Sequence, residues 1–463
     1  MPPTALVWFR RDLRVHDHPA LTAAHRECAR VIPVFVLDPR LLEGRFPSRN
    51  RAWFLHGCLT ELRAALRDRG ADLVVRTGRP EEELPALAAQ AGAGAVYLAT
   101  DVSPFASARD RRVAEALERA GVAVRRRPGV FVTDVEQIRT GDGRPYSVFS
   151  PFHRAWERAP RREVHGAPRQ LAFPAGLAPG ELGARPEPEA AEPHPPGERA
   201  ARERMGAWLR GGLDRYHERH DLLAGGTSEL SPYLHFGCLS PRELEQRARD
   251  RGGPGADAFV RQLAWRDFYA HVLLAFPGNA RHAHRREFDR LEWDHDDERL
   301  DAWREGRTGF PVVDAAMRQL RTRGWMHNRG RLIAGSFLTK DLHLDWRHGE
   351  AHFMRHLLCG DEASNNGNWQ WIASVGLDAA PYYRRLYNPM TQQRRHDPDG
   401  EYVRRWVPEL RAVPDGRLAE PWTMSAEEQR AAGCVIGDHY PAPVVDHRDE
   451  RERAMERYGA VRR

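Results

Sequence analysis

The sequence predicts a parallel α/β domain at the N-terminus joined to a larger all-helical domain, and three observations carry that prediction. Short β-rich runs alternate with amphipathic segments as far as about Val132. A stretch rich in Pro, Ala, Gly and Glu and poor in large apolar residues follows between Gly166 and Glu198. Beyond Arg199 the apolar spacing turns helical to near the C-terminus. Strand–helix alternation implies a parallel sheet with helices on both faces, because each strand must return along a crossover packed on the sheet.

In chain order, strands are expected at Leu6–Phe9, Val31–Leu37, Leu73–Val75, Val96–Leu98 and Val122–Val124, with helices over Arg51–Arg69, Glu81–Ala91 and Ser107–Ala120. No G-x-G-x-x-G follows the first strand, so the dinucleotide fingerprint is missing from this domain, residues 1–132. Residues 133–199 are read as an interdomain connection whose Gly166–Glu198 part is an extended strap able to lie against both domains. The helical domain spans 200–463. Ser231-Pro232 and Ser240-Pro241 mark helix starts, since a serine N-cap satisfies an orphan N–H and a proline at the next position lacks one. The charged segment Asp446–Arg463 is read as a helix with a solvated face.

A chain of 463 residues with net charge +6 can bury a sizeable core and suits a polyanionic partner. Arginine dominates the cations so heavily that Lys340 is the one lysine, which looks like coding bias. Cys28, Cys58, Cys238, Cys359 and Cys434 are scattered and lack C-x-x-C spacing, so neither a disulfide framework nor a zinc site is indicated. A reducing cytoplasm fits. With no signal-peptide h-region and no membrane-length apolar stretch, a soluble monomer without an obligate protein partner is expected. His282, His284 and His295 with Asp294, Asp296 and Asp297 resemble a metal cluster loosely and are read as a polar loop; no metal is expected. Arg125–Arg127 is read as a solvated charge run.

Two segments resist a packing explanation: Gly324-Trp325-Met326-His327-Asn328-Arg329, and Cys359-Gly360-Asp361-Glu362-Ala363-Ser364-Asn365-Asn366-Gly367-Asn368-Trp369-Gln370-Trp371. A helical core wants aliphatic side chains, whereas these lines mix carboxamides, glycine and paired indoles. Such polar groups are costly to bury without partners, and a planar ligand with a polar edge would supply them. Together with Thr227-Ser228-Glu229-Leu230-Ser231-Pro232 and Trp265-Arg266-Asp267-Phe268-Tyr269, these segments closely resemble the DNA photolyase/cryptochrome family of flavoproteins, nearest its branch acting on cyclobutane pyrimidine dimers. The resemblance runs from Trp8 to about Tyr458.

That resemblance implies FAD in the helical domain. Tyr216, Thr227, Ser228, Leu230 and Ser231 match the family's pyrophosphate site, with Arg266 the matching cation. Taken alone, the hydroxyls would be an ordinary helix cap. Asp361, Asn365 and Arg331 match the contacts to the flavin's polar edge, Asn365 facing N5. Trp369, Trp346 and Trp293 match the family's relay of electrons to the flavin. Trp265 and Trp371 match the indoles against which a flipped lesion stacks, and Gln262, Asn328 and Arg329 match lesion and phosphate contacts. The reacting centre is thereby assigned to Asn365, Arg331, Trp265 and Trp371.

Several positions depart from the family pattern. Cys359 replaces an aspartate that normally pairs with the arginine matching Arg331, Gln262 stands for a glutamate, and His220 for an arginine, with Arg219 adjacent. Asn328 occupies the place of a second histidine in members acting on the (6-4) photoproduct, which favours the cyclobutane dimer as substrate. Arg49, Arg51 and Asp101 resemble the contacts of deazaflavin-binding members, and Ser107 stands where a folate-binding glutamate is expected, so a deazaflavin antenna is placed ahead of a folate. The activity implied is light-driven dimer repair in ultraviolet-damaged DNA. The rival is a cryptochrome-like photoreceptor using the same flavin and indoles without repair, for which Trp265, Asn328, Arg329 and Trp371 would have little use.

Overall fold

A computed structural model describes residues 4–377 and 381–461. Five strands, β1 (Thr4–Phe9), β2 (Arg30–Leu37), β3 (Val74–Thr77), β4 (Ala93–Ala99) and β5 (Ala123–Arg127), form one sheet in the order β3-β2-β1-β4-β5. All pairings are parallel; Leu6 sits opposite both Ile32 and Val96. Every residue of β1 is buried, which explains its unbroken apolar run: a strand covered on both faces has no polar alternation. Leu6, Trp8, Ile32, Val34, Val96 and Leu98 pack on one face, while Ala5, Val7, Phe9 and Phe35 face a core that continues into the helical domain through Tyr233, Phe236 and Phe268.

Between the strands lie α1 (Pro19–Glu27), α2 (Pro39–Leu42), α3 (Arg49–Arg67), α4 (Pro80–Ala91) and α5 (Pro104–Arg119). The first two escape the sequence reading. In α1 the cap is His18, whose Nδ1 accepts from Leu21 N at 3.0 Å, and histidine is not a residue that advertises a helix start. The strand order reverses between β1 and β4, so the segments leaving their carboxyl ends, Arg10–Arg11 and Thr100–Asp101, border the crevice where open α/β sheets bind ligands.

The connection is less uniform than its composition suggests. It holds α6 (Phe149–Arg158), whose buried Phe149, Phe152 and Trp156 recur at helical spacing. Residues 159–197 contain no helix or strand and do bind both domains: Val75 N donates to Pro179 O at 2.7 Å, Val31 N to Ala172 O at 2.9 Å, and Tyr233 Oη to Pro195 O at 2.8 Å.

The helical domain runs through α7 (Glu198–Gly211), α8 (Tyr216–Arg219), α9 (Ser231–Phe236), α10 (Pro241–Arg251) and α11 (Pro254–Ala275). Ser240 caps α10 as expected, accepting from Glu243 N at 3.2 Å. Ser231 does not cap α9: it is the first helical residue, Leu230 holds the cap position, and the Ser231 hydroxyl accepts from Trp325 Nε1 at 3.2 Å instead. There follow α12 (Asp297–Glu305), α13 (Pro311–Arg323), α14 (Asn328–Ser336), α15 (Trp346–His356) and α16 (Glu362–Ile372). Last come α17 (Pro389–His396), α18 (Glu401–Trp406), α19 (Ala426–Ala431) and α20 (His447–Val461). Helix α20 has the expected solvated face, with Arg448, Asp449, Arg451, Glu452 and Glu456 exposed, while its other face buries His447, Ala454 and Tyr458. The inner face is tied to the domain: His447 Nδ1 lies 2.5 Å from Asp341 Oδ1, and Arg457 pairs with Asp294 at 2.6 Å. Among the described residues no helix is long and apolar enough to cross a membrane, and no group of three or more His, Cys, Asp or Glu could hold a metal.

Candidate active site

Helix α16 organises the site. Asp361 is its N-cap, accepting from Ser364 N at 2.9 Å, and Asn365 sits one turn on with its N–H on Asp361 O at 2.8 Å. The partner of Asp361 comes from the other domain: Arg11 Nη2 donates to Oδ2 at 2.5 Å. Burial disfavours the Asp361 charge, but Arg11, His235 and Arg266 outweigh it and hold the carboxyl well below the usual carboxylate range. Buried Asn365 donates to Glu350 O at 3.1 Å, and Glu350 itself accepts from Asn366 at 2.7 Å. Burial pushes the Glu350 carboxyl up to about 7, against Asn366 and Arg45, which favour its charge. Arg331 donates to Met326 O at 3.0 Å and reaches Cys359 Sγ at 3.3 Å; among the described residues it has no carboxylate within ion-pair distance.

The hydroxyl-rich line is held from behind. Arg204 donates to Ser228 O at 2.8 Å, and Leu230 N donates to Ser228 Oγ at 3.4 Å. Thr227 opens onto a cavity of about 130 Å³ shared with Gln319, Trp325 and His327. His327 Nδ1 accepts from Arg329 N at 3.0 Å, so its Nε2 carries the hydrogen; that atom is buried and has no hydrogen-bond partner. Burial, with Arg329 and Arg331 nearby, lowers this imidazole to about 4, so it is neutral at physiological pH. Tyr216 lies edge-on between Trp208 and Phe259. Arg266 directs its guanidinium to Val130 O and Leu234 O, at 2.8 and 3.2 Å, across the domain boundary.

A second cavity, of about 300 Å³, opens between α6, α11 and α16. Trp265 and Trp371 both line it, with Tyr269, Gly367 and Gln370. The Trp265 ring lies flat on Phe149, centroids 3.7 Å apart at 5°, and the Arg385 guanidinium sits 4.2 Å over Trp371. Gln262, Asn328 and Arg329 are not in this lining. Gln262 and Asn328 are exposed, and Arg329 pairs with Asp221 at 2.7 Å.

Trp369 and Trp346 are buried and Trp293 is half-buried. Trp369 meets Phe353 edge-on at 4.9 Å and a further indole, Trp303, at 6.2 Å. A Cβ on Gly349 would collide with the Trp369 ring, so α15 needs glycine there for the indole to nest. The three antenna positions reach different partners. Arg49 is exposed, Arg51 donates to Phe46 O at 2.5 Å and to Met354 O, and Asp101 accepts from Val102 N at 2.8 Å while facing Arg11 at 3.6 Å.

Sequence reasoning missed Arg11, Phe149 and Arg385. The spacing of Phe149, Phe152 and Trp156 was a usable signal for the second; the arginines sit in runs that carry no local sign of a distant partner.

A two-domain protein with an α/β ligand crevice and a helical half in which α16 combines carboxamides, indoles and a capped carboxylate has the build of a flavin enzyme acting on nucleic acid. The comparisons agree. Residues 5–172 match the family model described as DNA photolyase, and residues 259–460 match the FAD binding domain of DNA photolyase. The chain is 42% identical to the deoxyribodipyrimidine photo-lyase of Streptomyces griseus, covering 97% of this chain and 98% of that one. A bacterial class III photolyase from Agrobacterium tumefaciens superposes with a TM-score of 0.94 at 34% identity, covering 100% and 98% of the two chains. A cryptochrome from Synechocystis does so with a TM-score of 0.90 at 31% identity, covering 98% and 99%. The chain belongs to the DNA photolyase family and carries that family's FAD-binding domain. Its residues fit the cofactor: Arg331 lacks a carboxylate partner among the described residues, and the buried His327 Nε2 lacks an acceptor beside Thr227.

Proposed function

We propose that this protein repairs cyclobutane pyrimidine dimers in ultraviolet-damaged DNA under light. The observation that carries this reading is the 300 Å³ cavity lined by both Trp265 and Trp371, built on the same helix that bears Asp361 and Asn365. Bound FAD, reduced and excited by near-ultraviolet or blue light, would supply one electron to the dimer and recover it once the cyclobutane bonds have split. The chain supplies the surroundings. Trp265 and Trp371 return the stacking that a flipped base loses and keep water out. Arg331 and Asn365 hold the polar edge of the flavin ring, and Thr227, Ser228 and Ser231 its phosphates. Arg329 would exchange Asp221 for a DNA phosphate, while Asn328 and Gln262 offer donors and acceptors from exposed positions. Trp293, Trp346 and Trp369 would return electrons to oxidised flavin from the surface.

Reduced protein illuminated with ultraviolet-damaged oligothymidine should restore the absorbance of the intact bases, and do so in light but not in darkness. Repair of (6-4) lesions alone would refute the substrate assignment, as would equal binding to damaged and undamaged DNA. The second reading, a photoreceptor without repair, is favoured by the Synechocystis cryptochrome's likeness and is opposed by the paired indoles in one cavity. We read the protein as a cytoplasmic monomer with a deazaflavin antenna held through Arg49, Arg51 and Asp101. Extraction of a folate from the native protein would overturn the antenna assignment.

A further inference from the structure

We propose that Arg11, a residue of the N-terminal domain, is a positioning residue of the flavin site: one guanidinium fork joins Asp361 of the helical domain to Asp101 at the sheet crevice. The inference rests on the reading of Asp361 as a flavin contact and names what keeps that contact ionised and aimed.

Arg11 leaves the carboxyl end of β1 and Asp101 follows that of β4, the two strands flanking the reversal of strand order. The backbone there is pinned to the helical domain. Leu13 N donates to Phe236 O at 3.1 Å, and Arg14 Nη1 to Gly237 O at 2.9 Å. Gly237 has φ +67°, and a Cβ at that position would collide with the Arg11 carbonyl, so the close approach requires glycine. From this fixed base the guanidinium spreads three ways: Nε to His235 O at 3.1 Å, Nη2 to Asp361 at 2.5 Å, and Nη1 towards Asp101 at 3.6 Å. A planar fork can serve two carboxylates at once, which an ammonium cannot.

Every charged group facing Asp361 bears on the outcome. Arg11, His235 and Arg266 favour its ionised form, whereas Glu362 and Asp101 add negative charge nearby. His235 contributes little charge at neutral pH, because burial, together with Arg11 and Arg51, brings it down to about 4 despite Asp361. Arg266 is spent on two backbone carbonyls. Arg11 is therefore the cation in direct contact with the carboxylate, and the flavin site is incomplete without the N-terminal domain.

The test compares Arg11→Gln, Arg11→Lys, Arg11→Lys with Asp101→Asn, and Asp361→Asn, reading the FAD dissociation constant of the full-length apoprotein between about pH 5 and 8. Arg11→Gln should weaken FAD binding roughly tenfold or more, the ratio for one lost charge-assisted hydrogen bond. Its affinity should also fall more steeply than the parent's as pH drops, because losing Arg11 raises Asp361 towards that range; Glu350, at about 7, gives both proteins a shared pH dependence. Arg11→Lys should weaken binding less, and adding Asp101→Asn should restore it, since the ammonium no longer has two acids to choose between. Parental affinity and the parent's pH profile in Arg11→Gln, with Asp361→Asn impaired, would overturn the role of Arg11 alone. Parental affinity in Asp361→Asn would overturn both this inference and the flavin contact beneath it. If Arg11→Gln does not fold, the lysine pair decides: restoration by Asp101→Asn supports the shared fork, and no difference between the two refutes it.

Discussion

Truncating Trp265 to alanine removes one wall of the cavity, and the structure sets the size of the loss. One face of the indole is covered by Phe149 at 3.7 Å, so a base can stack on the opposite face alone. A single base–aromatic stack is worth about 1–3 kcal/mol, so the dissociation constant for dimer-containing DNA should rise roughly 5- to 150-fold. The partner ring also loses its stack, which costs about 0.5–1.5 kcal/mol beyond buried area, and this lowers thermal stability without preventing folding, since Trp265 is only half-buried. Fluorescence anisotropy on a dimer-containing oligonucleotide and its undamaged twin, at one fixed salt concentration, separates the effects. Binding to undamaged DNA should be unchanged, and Trp265→Phe should recover most of the loss. An equal decline on both DNAs, or none on the damaged one, would refute stacking as the source of lesion affinity.

Replacing Trp369 with phenylalanine should abolish photoreduction of oxidised FAD while chemically reduced enzyme still repairs; absorbance during illumination reads the first and repair yield the second, and parental photoreduction would remove Trp369 from the path. Cys359→Asp places a carboxylate where Sγ lies 3.3 Å from Arg331. It should lower the FAD reduction potential by roughly 30–60 mV, or hasten reoxidation in air, by partly neutralising that cation; unchanged values with the new acid ionised would sink the idea. Buried Asp267, which accepts from Trp156 Nε1 at 3.0 Å, is pushed up to about 6 by burial, against the pull of Arg266, from an ordinary 3.8. Its folded form binds the proton more tightly than the unfolded one, so parental stability relative to Asp267→Asn should grow as pH falls from 6 to 4, by about 2 kcal/mol in chemical denaturation, and a pH-independent difference would contradict the shift.

The sheet was legible because β1, most of β2 and the carboxyl half of β4 are buried on both faces and read as apolar runs. Helix α6 was hidden by the proline-rich chain after it, and α1 by a histidine cap. Within the site, α16 could be read residue by residue because its carboxamides and indoles lie in one segment. Its cross-domain partners could not: what joins Arg11 to Asp361 is tertiary approach, and no periodicity encodes it. Ser231 failed as a cap for a related reason, its hydroxyl being claimed by an indole 94 positions away.

The ion pair between Arg11 and Asp361 spans 350 positions of sequence. At about 5–20 residues per second the ribosome needs roughly 20–70 s to deliver the acid after the base has emerged. Throughout that time the sheet can assemble, since its five strands end at Arg127, but its crevice stays open to water with Arg11 lacking its closest acid. The nascent N-terminal half therefore waits as a hydrated surface, and the last quarter of translation decides when it is sealed.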